Sequence, residues 1–484
     1  MRGTPTDPAF ASARQLASLI RRRRIGCVEL LEHFLDRVRR FDGALNAIVV
    51  LDEDRARGRA RALDRKRAPV GPLHGVPITV KESFDVAGLA TTWGHEHRRD
   101  HVAEADALPV QRLAAAGAVV FGKTNVPVAL ADWQSYNPLY GTTSNPWDHG
   151  RTPGGSSGGS AAALAAGLTG LELGSDIGGS IRVPAHYCGV FGLKPSWGLL
   201  PSRGQSITGN VAPSDVSVIG PLARSADDLV LALDLLARPD PEETALRVVL
   251  PPAGAERLAG LRVAVWDSEP GQHTDPDTIA ALRALATWLR RQGARVSLTA
   301  RPGFDPIEAF HTYLRLLQAV MSARADASFL EEAREAAARL APDDMSADAV
   351  LTRAVAPSHS EWLGINETRH RLRRVWAAFF RDWDVLLCPV ISTPAMPHMQ
   401  EGRPWERRVP VGEGEITYNE MLFWPGIVGG FYLPATVAPL GETSAGLPLG
   451  VQIVGPPHGD RRTIQVARLL ERGWRGFEAP PGYA

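Results

Sequence analysis

Two glycine- and serine-rich knots lie close together in residues 152–182, "TPGGSSGGSAAALAAGLTGLELGSDIGGSIR". Serine hydroxyls are potential nucleophiles, and glycines let successive backbone N–H groups turn toward one point without interference from a Cβ. In "DIGGSIR" the run Ile177, Gly178, Gly179, Ser180 offers such donors. They suit an oxyanion, and a helix beginning near Ile181 adds a favourable dipole. Ser180, at the end of the run, is the natural nucleophile. Other chemistries fit less well. A phosphate loop needs the lysine of GxxxxGK[ST], which "GGSSGGSAAA" lacks, and the stretch has no GxGxxG. A flexible linker stays polar throughout, whereas "SAAALAAGLTGLEL" between the knots is apolar. Ser180 also lies outside a GxSxG elbow, so no His/Asp pair is implied.

A serine hydroxyl needs a general base, and the lysines narrow the search. Only four of the 53 basic residues are lysine: Lys66, Lys81, Lys123 and Lys194. Arginine cannot be deprotonated in a protein, so a chain this rich in arginine keeps lysine where arginine cannot substitute. Lys81 ends the apolar run "GVPITV". Burial there would favour the neutral amine, as a general base requires. Spacing alone leaves a solvated lysine at a strand end equally open. Lys66, in "DRKR", reads as a surface residue, and Lys123 and Lys194 as partners of loop carbonyls or carboxylates.

The elements that must position these groups follow from hydrophobic periodicity. "VELLEHFLDRVRRF" (28–41) has a helical period and points to two packed N-terminal helices. Beyond residue 70, short apolar runs broken by Gly and Pro read as buried strands, in 75–85, 117–125, 169–176 and 217–225. Helices fall near 106–116 and 157–167. After a Pro- and charge-rich connection (237–260), "LRVAVWD", a helix near 276–293 and "ARVSLTA" form a strand–helix–strand unit. Residues 308–381 are mostly helical, and strand texture returns in 383–392, 432–440 and 448–457. The fold class is α/β, one large mixed β-sheet covered by helices on both faces, with 260–380 as a helical elaboration.

Bulk properties limit the partners. The 53 basic residues balance 53 acidic ones among 484, so no global field favours nucleic acid or an anionic membrane. "RRRR" (21–24) reads as a solvated helix face. Cys27, Cys188 and Cys388 are widely spaced, which suits reduced thiols in a cytoplasmic protein, and the N-terminal sequence does not read as a signal peptide. "HEHRRDH" (95–101) lacks the HExxH spacing of a zinc helix, so no metal is expected.

Six motifs resemble those of the amidase signature family of serine hydrolases: "GVPITVKESFD" (75–85), "GKTNVPV" (122–128), "YGTTSNPWD" (140–148), "GGSSGGSAAALAAG" (154–167), "GSDIGGSIRVPAHYCGVFGLKP" (174–195) and "GLPLGVQIVGP" (446–456). The resemblance implies a single amidase domain over 1–484, with N-terminal helices (1–69), a catalytic signature core (70–236), the elaboration (260–380) and a return to the core sheet (383–484). It implies a Ser–cisSer–Lys triad with Ser180 as nucleophile, Ser156 as a bridging serine after a cis peptide bond, and Lys81 as base. The oxyanion hole falls on Ile177, Gly178, Gly179 and Ser180. No cofactor is implied. Asp176 and Arg182 read as braces of the loop and Ser157 as its support.

The substrate wall is expected from the aromatic, apolar segments 130–141, 417–432 and 313–321, with Trp133, Tyr136, Gly155, Phe423 and Trp424 as contacts. Such walls suit a small amide, anilide or carbamate substrate, handled by a monomer or homodimer. Two other readings stay open: the glutaminase-type subunit of a tRNA-dependent amidotransferase, and a catalytically silent scaffold of the same family.

Overall fold

A computed structural model describes residues 7–207 and 210–484. Two β-sheets carry the fold. The smaller has three strands, β1 (Ile48–Leu51), β2 (Pro77–Lys81) and β3 (Val119–Thr124), in the order β1-β3-β2, with β2 parallel and β1 antiparallel to β3. The larger has eight strands: β4 (Glu172–Asp176), β5 (Phe191–Lys194), β6 (Val218–Ala223), β7 (Arg262–Val265), β8 (Arg295–Ser297), β9 (Val385–Pro389), β10 (Ala435–Glu442) and β11 (Pro448–Val454). Their order is β8-β7-β9-β11-β10-β5-β6-β4. Only the β7–β8 and β7–β9 pairs are parallel, so the sheet is mixed.

Side chains alternate between the faces of a strand, and here each face has its own core. Val385 and Leu387 join a cluster with Leu229, Leu282 and Leu470, on one side. Leu386 and Cys388 join Tyr313, Trp376 and Ile427 on the other. Both faces are therefore covered by helices, which is why the central strands read as continuous apolar runs rather than as alternating ones.

Two features differ from the sequence reading. Lys81 is not on the large sheet, because β2 pairs with β3 in the separate three-stranded one. The label of a helical elaboration for 260–380 also fails in its first part, where the expected strand–helix–strand unit is found. That part supplies β7 and β8 to the large sheet, since Val263 and Val265 face one core and Ala264 the other.

The helix Gly158–Ala165, buried along its whole length, packs against strands of both sheets. Its small residues permit this. A Cβ on Gly159 would lie 2.4 Å from the backbone nitrogen of Asn125, next to β3. The sheets also meet directly where β2 runs past β4. Gly170 N–H donates to Pro77 O (3.0 Å), Thr79 N–H donates to Thr169 Oγ1 (2.9 Å), and the Thr79 hydroxyl donates to the Glu172 carboxyl. Lys81, two residues beyond Thr79 on the same face of its strand, is thereby carried to the end of β4.

Candidate active site

The first glycine knot forms a tight bend into the helix Gly158–Ala165. The Gly155–Ser156 peptide bond is cis. Ser135 Oγ braces the bend, donating to Gly154 O (3.1 Å) and accepting from Gly158 N–H (3.0 Å). A Cβ on Gly155 would sit 2.3 Å from Asp132 O, so this glycine serves a close approach of two backbones. The second knot is docked onto the first, with Ser157 N–H donating to Ser180 O (3.1 Å). The Ser157 hydroxyl lies 3.4 Å from both the N and the O of Ser175, tying the helix start to β4.

Lys81 and Ser156 meet here, and Ser180 lies on the loop bonded to the neighbouring Ser157; the three are 0%, 2% and 5% exposed. The Lys81 amine lies 2.6 Å from Ser156 Oγ and donates to Ser175 Oγ at 2.9 Å. Burial lowers its pKa from 10.5 to about 7, against the opposing pull of Asp176 and Glu82. An amine of that pKa is partly neutral near pH 7 and can accept a proton. Gln205 Nε2 lies 3.3 Å from both Ser175 Oγ and Ser83 Oγ, closing the network behind the amine.

The second knot is held through its carbonyls. Ile177 O accepts from the Tyr313 hydroxyl (3.1 Å), Gly178 O from Trp133 Nε1 (3.0 Å) and Gly179 O from Val183 N–H (2.6 Å). In a trans peptide the N–H points opposite to the carbonyl, so fixing each C=O also aims the next N–H. The N–H groups of Ile177, Gly178 and Ser180 make no hydrogen bond within the described residues. Gly179 differs from the expectation. Its N–H donates to Asp176 Oδ1 at 3.0 Å and is not free for an oxyanion. Its φ of 101° lies in the left-handed region that favours glycine.

Asp176 is the anchor of this loop. Besides Gly179 it accepts from Ile181 N–H (3.1 Å) and pairs with Arg182 (2.7 Å), both side chains fully buried. Burial alone would raise its pKa, yet the Arg182 guanidinium holds the carboxyl down at about 2. Arg182 continues to Pro425 O and Gln452 Oε1, linking the loop to β11. The one histidine nearby, His186, is committed elsewhere, to Thr393 O and Gly450 N–H, and burial keeps it neutral with a pKa of about 4. Of the other lysines, Lys66 is exposed, Lys123 bonds Ala90 O and Thr91 Oγ1, and Lys194 bonds Pro195 O.

All three expected wall segments reach the loop, through a different selection of residues. Trp133 and Tyr313 hold its carbonyls, and Leu422 and Pro425 lie against Gly178 and Gly179. Leu422 and Pro425 are three apart and share one side of the helix Phe423–Gly429, so the rings between them turn away. Phe423 and Trp424 pack instead with Trp266, 6.3 and 5.7 Å between ring centroids, as core rather than as substrate contacts. The Tyr136 hydroxyl accepts from Arg407 (2.9 Å), which pairs with Asp132, the residue before Trp133. Sequence reasoning does not single out Ser175, Tyr313, Leu422 or Pro425. For Ser175 the available signal is its place one residue before Asp176, on the strand edge facing Lys81.

The chain resembles known proteins along most of its length. The amidase family model matches residues 29–464. An indoleacetamide hydrolase of Bradyrhizobium diazoefficiens is 33% identical over 96% of this chain and 87% of its own length. A glutamyl-tRNA(Gln) amidotransferase subunit from an Anaeromyxobacter species is 34% identical, covering 97% of each chain. Among solved structures, a bacterial aryl acylamidase of the amidase signature family superposes with a TM-score of 0.80 at 25% identity, over 96% of each chain.

Proposed function

Because the chain belongs to the amidase signature family, whose members include hydrolases of carbon–nitrogen amide bonds, we propose that it cleaves small carboxamides, aryl amides or carbamates through an acyl-enzyme on Ser180. The observation that carries this reading is the buried Lys81 amine, 2.6 Å from the hydroxyl of a serine that follows a cis peptide bond, in contact with the loop that presents Ser180.

In this reading neutral Lys81 takes the proton of Ser156, and Ser156 takes that of Ser180 as its Oγ attacks the carbonyl carbon. The tetrahedral oxyanion is met by the free N–H groups of Ile177, Gly178 and Ser180. Each such donor contributes about 3–4 kcal/mol to transition-state stabilisation in comparable enzymes. The ammonium of Lys81 then returns a proton through Ser156 to the departing nitrogen, which leaves poorly as an anion. Water attacks the acyl-enzyme by the same relay, releasing the acid and restoring the neutral amine.

Trp133, Tyr313, Leu422 and Pro425 around the oxyanion loop favour an apolar or aromatic acyl group. The triad and the oxyanion donors all come from one chain, which supports action as a monomer or homodimer; the balance of 53 basic and 53 acidic residues favours a reaction without nucleic acid, and the compartment we propose is the cytoplasm. The free, buried Cys27, Cys188 and Cys388 fit that compartment, and no helix of the described residues is long and apolar enough to cross a membrane. The match to an amidotransferase subunit favours a second reading, hydrolysis of glutamine to supply ammonia to a partner. Assays of the purified protein on carboxamides, anilides, esters, carbamates and free glutamine decide between them. Turnover of an anilide or aryl carbamate at least tenfold above glutamine is expected. Glutamine as the preferred substrate contradicts the first reading, and no turnover of any of them supports the silent scaffold.

A further inference from the structure

A cavity of about 340 Å³ lies between the helix His359–Asp382 and the segments around Trp197, Tyr432 and His458. None of its lining residues belongs to the triad or the oxyanion loop. Its volume is at the lower end of the range for small-ligand sites. Its walls combine aromatic surface with cationic groups. Trp197 and Tyr432 stack with 4.6 Å between centroids at 14°, and Trp362 stands on the helix beside them. The guanidinium carbons of Arg369 and Arg373 lie 4.5 and 4.9 Å from the Tyr432 ring centre.

The two arginines are not equivalent. Arg369 is neutralised by Asp215, with its Nη1 2.8 and 2.9 Å from the two carboxylate oxygens. Arg373 has no carboxylate partner among the described residues. Its Nη1 lies 3.3 Å from His370 Nδ1, and its Nε is buried with no hydrogen-bond partner. No acidic residue lines the cavity among the described residues, while His370 and His458 add two further imidazoles. A buried guanidinium donor without an acceptor is costly, and the acceptor that fits its planar fork is a carboxylate.

We propose that this cavity is a second binding site, separate from the catalytic one, for a small planar organic carboxylate whose carboxylate pairs with Arg373 and whose ring lies against Trp197 and Trp362. Burial and the adjacent Arg369 charge both depress the Arg373 pKa, and the charge of a bound anion acts in the opposite direction.

The test is calorimetric titration of 2-naphthoate, with uncharged 2-naphthamide as its counterpart, into the whole protein after treatment with a fluorophosphonate to occupy Ser180. Binding of naphthoate, at least tenfold weaker binding of the amide, and a loss of at least tenfold in Arg373→Met are expected. Equal binding by Arg373→Met, equal binding of the amide, or loss of binding on treatment each overturns the proposal. Should Arg373→Met fold poorly, a wild-type crystal soaked in 2-naphthoate decides the matter. The carboxylate is expected on Arg373, and an empty cavity refutes the site.

Discussion

Replacing Ser175 by alanine separates the base from its support. Ser175 Oγ accepts a hydrogen bond from the Lys81 amine at 2.9 Å and lies 3.3 Å from Gln205. With the Lys81 pKa at about 7, roughly half of the enzyme has a neutral base at pH 7, against about one part in 3000 for an ordinary lysine at 10.5. A hydrogen bond from an ammonium contributes about 1.5–3 kcal/mol and one from a neutral amine about 0.5–1.5 kcal/mol. Losing the acceptor therefore costs the charged form about 1 kcal/mol more than the neutral one. At about 1.4 kcal/mol per pKa unit, the Lys81 pKa falls by roughly 0.7 unit. The loss for the neutral form loosens the amine that must face Ser156 and lowers the plateau rate by about 2–10-fold. The assay is kcat/KM for an anilide from pH 5.5 to 9.5, whose acid limb reports the free-enzyme base. Ser175→Ala should show a lower plateau with its acid limb displaced to lower pH. A limb that stays in place, or moves to higher pH, refutes the idea that this hydroxyl stabilises the protonated form of the base.

Other consequences can be measured alongside. Lys81→Arg should be as inactive as Lys81→Ala, at least 1000-fold below wild type in kcat, because arginine keeps its proton; activity within tenfold of wild type would remove Lys81 from the role of base. Asp176→Ala strands the buried Arg182 and frees Gly179 and Ile181 N–H, so urea unfolding should show a loss of about 3–5 kcal/mol, and a loss below 1 kcal/mol would contradict its role as anchor. Glu172 has its pKa raised by burial from 4.5 to about 8, so the unfolded chain releases its proton first; its contribution to stability is full below about pH 4.5 and is lost as pH rises toward 8. The Tm difference between Glu172→Gln and wild type should therefore shift in favour of the variant from pH 5 to pH 8, and a constant difference counts against a neutral Glu172 carboxyl. Gly155→Ala puts a Cβ 2.3 Å from Asp132 O, so kcat/KM should fall at least 100-fold, with a Tm scan showing how much of that is unfolding.

What the sequence made legible was local. The glycine knots, the strand ending at Lys81 and the helix between the knots each follow from residue types within about ten positions, and the structure places the corresponding elements there. What stayed hidden depends on contacts between distant segments. Nothing near Lys81 shows that β2 pairs with β3 in a sheet of its own, because strand pairing is decided by packing across the chain. Whether Gly179 N–H is free depends on Asp176 folding back under it, three residues away but set by the conformation of the loop. The aromatic segment 417–432 advertised Phe423 and Trp424 as pocket contacts. The phase of a two-turn helix instead turned Leu422 and Pro425 toward the loop, and composition cannot reveal that phase.

The most direct measurement is covalent labelling. The protein is treated with a fluorophosphonate and digested, and the modified peptide is identified by mass spectrometry, for wild type, Ser180→Ala and Lys81→Ala. One adduct on Ser180 is expected, absent in Ser180→Ala, strongly slowed in Lys81→Ala, and formed in step with the loss of anilide turnover. An adduct on another residue, or full turnover with Ser180 removed, would contradict that expectation.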